Sequence, residues 1–437
     1  MQDKYDKSSV DSIYKFAQLL TGKTLNEVVT LPEEVQNLRN RGELGGLVEA
    51  HFFELPPTTS NLDFPAAGLE LKTTGLKIGP RGTYQAKERL VLTMINFLKL
   101  AEEDWETSTF YTKSKLMLIL FYLYEGGIPT YDQRFVLEPL LFKLDDHDAA
   151  VVRRDWEFIK EKVVSGRAHE LSEGDTFYLG ACRKGAGGEN EKLRPQPNSE
   201  LGAKARAFSF KPSYMNLLIA GHGGESRVLD TITQSFEEAT YQRFHSYLGL
   251  SVEQISKKLN YFKSGPNHKG FLRGIAVRIL SSGGSSVPEL DKAGIEMKTI
   301  RLQQNGSPRE SMSFPSFKYL EIINEEWEHS NFFEKLESKF LFIVFREDAN
   351  GVERLDSVVY WNMPFLDRQE AQRVWADTKR RVSVDARDLP KTRESYVAHV
   401  RPKARDGNDT LPTPQGTFLV KQCFWLNAKY IKSVLES

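Results

Sequence analysis

Residues 49–72, EAHFFELPPTTSNLDFPAAGLELK, decide how the rest of the chain is interpreted. The last five, GLELK, alternate apolar and charged side chains, which predicts a β-strand with Glu70 and Lys72 on one face, about 6.6 Å apart. Asp63 precedes this strand across a turn that contains proline and glycine. Glu49 stands in an apolar segment that predicts a buried helix, and a buried carboxylate needs a partner or a metal ion. The spacing therefore predicts one site with three acids and a lysine.

These residue types suit metal-dependent hydrolysis of a phosphodiester. Asp63 and Glu70 offer the carboxylate oxygens that Mg²⁺ prefers, and such a cation offsets the charge of the phosphate and lowers the pKa of water. Lys72 would place a positive charge beside the reacting phosphate, and Glu49 could orient water or complete a second metal position. The isolated D-x₆-E-x-K pattern favours a turn cap and a solvated strand pair, and it is Glu49 on its apolar segment and the altered second copy of the pattern later in the chain that favour the catalytic interpretation.

Length and composition set the outer bounds. The 437 residues exceed a usual single domain and predict two. The 59 basic and 59 acidic residues cancel, so any surface for nucleic acid must be local. Cys182 and Cys423 form no CxxC motif, which argues against a zinc site and fits a reducing cytoplasm. With no apolar signal core or membrane-length apolar run, we expect a cytoplasmic protein without a membrane partner.

The second half of the chain repeats the first in order. Residues 294–298, GIEMK, repeat GLELK. Trp105 and Trp327 each open a W-E-x-S motif, and each is followed eight residues later by a lysine, Lys113 and Lys335. An ordered set of matches with little drift in spacing indicates a duplication.

The duplication predicts an N-terminal catalytic domain, 1–222, and a C-terminal DNA-binding or allosteric domain, 228–437, separated by the glycine-rich linker GHGGES. Each is expected to be α/β, with a central mixed sheet flanked by helices. Residues 88–97 and 116–124 are predicted to be strands of the central sheet of the first domain. The charged segment 145–162 predicts a solvated helix.

The two copies differ at the predicted site. The second keeps Glu296 and Lys298, has Glu289 at the position of Asp63, and has an apolar or basic residue where the first has Glu49. A longer acid on the turn shifts a bound metal, and loss of the helix acid removes a ligand or water-orienting group. The first copy is therefore the predicted catalytic copy, although a metal site that uses Glu289 or Asp291 stays open as an alternative.

A family resemblance rests on these residues. The series Gly42-x₆-Glu49-x₁₃-Asp63-x₆-Glu70-x-Lys72, followed by the W-E-x-S motif and Lys113, resembles the MutH/Sau family of GATC-specific endonucleases, a branch of the PD-(D/E)xK superfamily. The resemblance implies two tandem MutH-like domains of the restriction-endonuclease type and a type II restriction enzyme with Mg²⁺ as cofactor. It implies cleavage of duplex DNA before the G of GATC to leave 5′ overhangs, with the second copy binding an effector GATC site. It also implies the catalytic residues Glu49, Asp63, Glu70, Lys72 and Lys113, with Lys115 as the neighbouring alternative to Lys113 and with Asp63, Glu70 and Glu49 at the metal.

The resemblance also implies residues that contact DNA. In the family, a basic residue ahead of the catalytic helix touches DNA, and an R-P-K element contacts bases in the major groove. The element is intact at residues 401–403, whereas the first copy has the arginine of C-R-K-G shifted by one position. Residues 379–405 carry nine Lys or Arg against three acids, which supports local phosphate binding. The predicted DNA-binding residues are Arg41, Arg183, Lys184, Lys211, Arg401, Lys403 and Lys421.

Two other functions remain open at this stage. One is a MutH-like mismatch-repair nicking enzyme, for which a single domain would suffice. The other is a non-catalytic protein that binds GATC and regulates. The partner in every case is double-stranded DNA, and one catalytic domain per chain suggests dimerisation on DNA. A cognate methyltransferase would act on the same site without direct contact.

Overall fold

The computed structural model describes residues 4–33, 44–57, 62–80, 82–185, 191–221, 228–262 and 270–436. The predicted linker GHGGES lies almost wholly outside these ranges. Within them the molecule has the α/β fold with two tandem copies that the sequence predicts. None of the helices in these ranges combines the length and the apolar character that crossing a membrane requires.

The first copy folds into two sheets and a hairpin. Its strands are β1 (Glu70–Ile78), β2 (Tyr84–Ala86), β3 (Leu90–Met94), β4 (Met117–Leu123), β5 (Arg134–Phe135), β6 (Leu140–Phe142), β7 (Leu179–Arg183), β8 (Arg194–Gln196), β9 (Ser199–Ala203) and β10 (Arg206–Phe210). In the larger sheet β1 pairs in parallel with β4 and antiparallel with β2, and β4 also pairs with β5 and β6. In the smaller sheet β10 lies between β3 and β7, and β8 and β9 form the hairpin.

The second copy repeats this division into two sheets. Its strands are β11 (Glu296–Leu302), β12 (Met312–Ser316), β13 (Phe340–Glu347), β14 (Glu353–Trp361), β15 (Ala398–Pro402), β16 (Thr410–Pro412), β17 (Phe418–Val420) and β18 (Gln422–Leu426). Strands β11 and β13 pair in parallel as β1 and β4 do, and β14 extends that sheet. Strand β18 lies between β12 and β15, and β16 and β17 form a hairpin.

Helices cover these sheets in both copies. Those of the first copy are Val10–Ala17, Leu25–Val28, Leu44–Leu47, Phe97–Glu102, Thr109–Ser114, Asp146–Val164 and Pro212–Ile219. Those of the second are Phe236–His245, Val252–Lys258, Phe271–Leu280, Pro288–Ala293, Tyr319–Ile322, Asn331–Leu336, Phe365–Val384 and Ala428–Glu436. Strand β4 is apolar along its whole length and buried over its first five residues, as expected for a strand covered on both faces.

The prediction that both 88–97 and 116–124 belong to the central sheet is wrong for the first segment. Strand β3 belongs to the smaller sheet, antiparallel to β10, and ends at Met94. Asn96 then caps a helix by accepting the Lys99 N–H. Leu90 and Leu92 face the core between the two sheets, so an apolar strand is needed here in either sheet and the local pattern cannot distinguish them.

The two copies share a hydrophobic core. One cluster of buried side chains contains Phe121 and Trp156 from the first copy and Ile275 and Phe345 from the second. A second cluster lies under the N-terminal helices, and a third lies within the second copy. Part of the apolar surface of each copy is therefore buried against the other, beside a core that each copy has of its own.

The helix Asp146–Val164 packs into this shared core, so the prediction of a solvated helix is wrong. Asp148 is buried on it, and the Lys292 Nζ of the second copy lies 2.7 Å from its Oδ2. Tyr214 donates a hydrogen bond of 2.7 Å to the same oxygen. A charged helix can be buried because its acids meet partners from distant parts of the chain.

Candidate active site

Glu70 enters the site at the first residue of β1. The preceding Gly68 has a φ of +64°, a left-handed conformation that glycine adopts without strain, and it ends a short 3₁₀ turn at Pro65–Ala67. Parallel pairing places Glu70 opposite Met117. The strand that the GLELK pattern predicts thus begins where the chain turns into the sheet.

The carboxylate of Glu70 is buried and bound on one oxygen only. Only 1 % of Glu70 is exposed. Its Oε1 accepts hydrogen bonds from Lys72 Nζ at 2.7 Å and Lys113 Nζ at 3.2 Å. Its Oε2 is buried and has no hydrogen-bond partner. A buried oxygen of this kind is costly to leave unpaired, so it marks a place for a ligand.

Lys113 reaches Glu70 from the helix Thr109–Ser114. Ser108 caps this helix, because its hydroxyl accepts the Tyr111 N–H and donates to the Trp105 carbonyl. This cap is the serine of the W-E-x-S motif. The motif therefore has a physical role, which is to start the helix that carries Lys113.

Asp63 and Glu49 complete the group of acids. Asp63 Oδ2 accepts the Leu71 N–H at 2.8 Å, which holds it beside the start of β1. Glu49 lies on a π-helical turn, Val48–Phe52, rather than on the regular helix predicted for it. Burial and then the negative charge of Asp63 raise the pKa of Glu49, and Lys72 acts in the opposite direction. The predicted catalytic residues thus lie close enough to interact electrostatically.

The carboxylates of this site fit a divalent cation that DNA helps to bind. Among the described residues, no three His, Cys, Asp or Glu side chains form a group that could hold a metal ion alone. Mg²⁺ in phosphate chemistry is usually bound by one or two carboxylates together with substrate phosphate and water. Oε2 of Glu70 supplies an available acceptor, and Asp63 and Glu49 supply further negative charge nearby.

A cleft of about 430 Å³ opens beside these residues, between the two sheets of the first copy. Lys72 and Lys113 line one side, and residues of β3 line another. Asn96, Lys99 and Thr109 also contribute to the lining. Its ammonium groups make the cleft suitable for an anionic strand.

The corresponding acid of the second copy is bound differently. Glu296 has one oxygen paired with Lys335 and the other 3.1 Å from Lys298, so that each oxygen has its own lysine. Burial alone would raise the pKa of Glu296, but the hydrogen bonds and charges of Lys335 and Lys298 outweigh it and lower the pKa. The helix Phe271–Leu280, where the counterpart of Glu49 would stand, carries no acid.

Glu289 does not occupy the place of Asp63. It lies on the helix Pro288–Ala293, and its Oε1 accepts the N–H groups of Val228 and Leu229 at 2.6 and 3.0 Å. The helix Pro288–Ala293 stands where the first copy has only a short 3₁₀ turn, and it directs Glu289 to the start of the second copy. The Glu289 Oε2 is buried and has no hydrogen-bond partner among the described residues, so the alternative metal site that uses Glu289 stays a prediction.

Comparisons with known proteins agree with this geometry. The family "DNA mismatch repair enzyme MutH" matches at residues 55–155 and 280–374, once in each copy. The type II restriction enzyme Sau3AI of Staphylococcus aureus is 31% identical over 91% of this chain and 93% of its own length. The chain belongs to the MutH/Sau family of endonucleases. The MutH mismatch repair proteins of Shigella flexneri and Escherichia coli K12 are each 28% identical over 47% of this chain and 90% of their own length.

Membership of the MutH/Sau family makes the chain a site-specific deoxyribonuclease, and its partner is DNA. A single-domain MutH covers about half of the chain, whereas Sau3AI covers nearly all of it. The two-copy organisation is thus shared with the restriction enzyme.

The predicted DNA-binding residues of the first copy differ in exposure and in their partners. The Arg183 guanidinium, at the end of β7, is paired with Glu191 at 2.8 Å and with Glu328 of the second copy at 3.3 Å. Lys184 is partly exposed beside it. Lys211 is only 8 % exposed, and its Nζ donates a hydrogen bond of 2.6 Å to the Thr176 carbonyl. Burial lowers the pKa of Lys211 to about 8. The prediction that Lys211 contacts DNA is wrong for this arrangement, because the side chain is buried and its ammonium donates to backbone carbonyls.

The predicted DNA-binding residues of the second copy lie at the surface. Arg401 is exposed on β15, and its guanidinium lies 4.7 Å above the centre of the Trp425 ring. Lys403 is exposed and donates to the Phe314 carbonyl, and Lys421 pairs with Asp409. Arg41 lies outside the described residues.

Sequence reasoning missed several charged residues near the site. Lys99 on the cleft wall, and the pairs that Glu328 makes with Arg183 and Lys204, were not singled out. A position-by-position comparison of the two copies, with the tryptophans aligned, would have found Lys99, because the second copy has Glu321 there.

Proposed function

We propose that the chain is a type II restriction endonuclease of a restriction-modification system, which uses Mg²⁺ to hydrolyse duplex DNA before the G of GATC and leaves 5′ overhangs. The first copy cuts, and the second binds another GATC site as an effector. The similarity to Sau3AI over nearly the whole chain supports the two-copy organisation of this proposal.

The observation that carries the proposal is the difference between Glu70 and Glu296. Two lysines share one oxygen of Glu70 and leave the other without a partner. In the second copy each oxygen of Glu296 is held by its own lysine. Of these two glutamates, only Glu70 has a buried oxygen without a hydrogen-bond partner among the described residues, and only Glu70 has the acids Glu49 and Asp63 beside it.

The chain's own residues have distinct tasks in this reaction. Glu70 and Asp63 would hold the cation, which supplies neutralisation of the phosphate and a lowered pKa of water. Lys72 and Lys113 direct ammonium groups at the cleft and would stabilise the negative charge that develops on the phosphate oxygens. Glu49, whose pKa is raised, would orient the attacking water or accept its proton.

The second copy would bind DNA through the surface around Arg401. A guanidinium can form two hydrogen bonds to the edge of a guanine, which GATC contains. The exposed Lys403 directly follows the end of β15, the strand of Arg401, and could contact phosphate. In the first copy Arg183 and Lys184 would contact the target site after Arg183 leaves its present partners.

A nicking enzyme like MutH is the second candidate. It is favoured by the family match in each copy, which describes a mismatch repair enzyme. A single-domain nicking enzyme would have no use for a complete second copy, so the restriction enzyme is preferred. A non-catalytic GATC-binding regulator would leave the arrangement at Glu70 without a purpose.

Digestion of a plasmid of known sequence with Mg²⁺, beside its adenine-methylated counterpart, tests the proposal. Cleavage at each GATC supports it, nicked circles alone favour the MutH-like function, and intact but retarded DNA favours the regulator. Glu70→Ala should abolish cutting while DNA binding remains, and Glu296→Ala, its matched control in the second copy, should leave cutting largely intact. Equal loss in both would show that both copies cut.

The same proposal includes dimerisation on DNA, because one active site cuts one strand at a time. Sedimentation with and without a GATC duplex should show a larger complex only with DNA. The cognate methyltransferase would protect the host by modifying the same sequence. Digestion of the adenine-methylated plasmid tests whether such a modification prevents cleavage.

A further inference from the structure

Lys99 is an exposed cation on the wall of the catalytic cleft, outside the group around Glu70. Its side chain is 61% exposed on the helix Phe97–Glu102. Its Nζ donates to Thr109 Oγ1 at 2.7 Å and lies 3.4 Å from Glu103 Oε1. Glu103 Oε1 also accepts the hydroxyl and the N–H of Thr109. Lys99 is thus held near Thr109 by a weak surface pair that a phosphate could replace.

Thr109 connects Lys99 to the active site. It begins the helix that carries Lys113, and the two residues are four positions apart. Residues at this spacing lie on one face of a helix, about 6 Å apart along its axis. Lys113 is buried against Glu70, whereas Lys99 is exposed, so the two ammonium groups lead from the buried carboxylate to the solvent. A DNA strand with its scissile phosphate at Glu70 would bring a neighbouring phosphate to Lys99.

In the second copy each oxygen of Glu296 is paired with a lysine, and a different residue occupies the position of Lys99. With Trp105 and Trp327 aligned, Lys99 corresponds to Glu321. Glu321 is 63% exposed and pairs with Lys318 at 2.7 Å. The leucines directly before the two residues are almost equally exposed, 48% and 47%, so the two positions are similarly open to solvent. The charge is therefore reversed at an otherwise similar position, and an acid there would repel a phosphate.

We propose that Lys99 is a positioning residue that binds the phosphate next to the scissile phosphate on the strand being cut. The inference rests on the proposed function of the first copy as the cutting copy. It adds a contact that aligns the strand in the cleft and that the second copy cannot make.

Charge variants of Lys99 provide the first part of the test. Lys99→Ala should lower kcat/KM for a GATC duplex about three- to tenfold near physiological salt, and the slope of log affinity against log salt should fall by about one. Lys99→Glu, which copies the second domain, should lose more, and Lys99→Arg should restore most activity. Lys257→Ala is the matched control, because Lys257 is 66% exposed and also pairs with a glutamate four residues away.

A DNA substrate with one uncharged phosphate locates the contact. A methylphosphonate is placed at each phosphate on either side of the scissile one in turn. At one of these positions the wild-type enzyme should lose about as much as Lys99→Ala loses, and the variant should lose no more there. Methylphosphonates several positions away should affect both proteins equally.

The outcomes separate the inference from the proposed function. If the wild-type protein does not cut GATC duplexes, the proposed function fails. If it cuts, but Lys99→Ala keeps the wild-type salt slope or loses further activity at every methylphosphonate, the contact with Lys99 is refuted. A nearly unchanged thermal unfolding temperature in Lys99→Ala is also expected, because the Lys99 side chain is 61% exposed and Glu103 keeps its hydrogen bonds from Thr109.

Discussion

The guanidinium of Arg183 lies 3.3 Å from the carboxylate of Glu328, so that the predicted DNA contact of the first copy is paired with an acid of the second. Lys204 of the first copy lies 3.0 Å from the same oxygen. If Arg183 contacts DNA as proposed, it competes with this pairing, and the contact would then connect DNA binding by the first copy to the second.

Glu328→Gln should strengthen binding of a GATC duplex. Without the negative charge of Glu328, Arg183 and Lys204 give up a weaker interaction when they bind a phosphate or a base. We expect a Kd lower by about three- to tenfold at low salt and a salt slope that is steeper by about one. Fluorescence anisotropy across a salt series measures both.

Glu106→Gln is the matched control, because Glu106 holds the same position in the W-E-x-S motif of the first copy. It pairs with Arg153 at 2.9 Å on an exposed surface. This variant should leave DNA affinity unchanged, and an equal effect of the two substitutions would show that the motif acid matters only through net charge.

Glu49→Gln should stabilise the metal-free protein and impair cleavage. Burial and the charge of Asp63 raise the folded-state pKa of Glu49, so its ionised form destabilises the fold. This penalty is small near pH 4 and grows as the pH rises from the ordinary glutamate pKa of about 4.3 through the raised value. The variant should therefore exceed the wild-type unfolding temperature at pH 7 and match it in acid.

A divalent cation should reverse this order of stability. Ca²⁺ or Mg²⁺ would offset the repulsion among the acids and so stabilise the wild type more than Glu49→Gln. Thermal unfolding with increasing metal concentration measures the effect. Equal stabilisation of both proteins would indicate that Glu49 lies apart from the cation.

Lys113→Ala should lower cleavage about 100-fold or more, because it removes a donor that faces the reacting phosphate. Lys335→Ala removes the equivalent lysine from Glu296 and should change cleavage little. Single-turnover rates at saturating DNA and Mg²⁺ measure the difference. Similar losses would contradict the assignment of cutting to the first copy alone.

The sequence predicts the strand of Glu70 and Lys72 because its signal, the alternation in GLELK, is local. The W-E-x-S motif indicated only the duplication and the family resemblance, and its serine proves to cap the helix of Lys113. Properties that depend on distant partners were not predictable in this way. Lys211 was expected at a DNA surface, but its carbonyl partner Thr176 and the second copy bury it.

Lys292→Met should destabilise both copies together, because it leaves Asp148 buried without its cation in their shared core. Breaking a buried pair by removing one partner costs about 3–5 kcal/mol of unfolding free energy. Chemical denaturation should show one transition at lower denaturant, and Asp148→Asn combined with Lys292→Met should recover part of the loss.

Arg153→Ala, at an exposed pair with Glu157, should cost less than about 1 kcal/mol. Two separate transitions in the wild type, with only one affected by Lys292→Met, would show that the copies fold independently despite the common core.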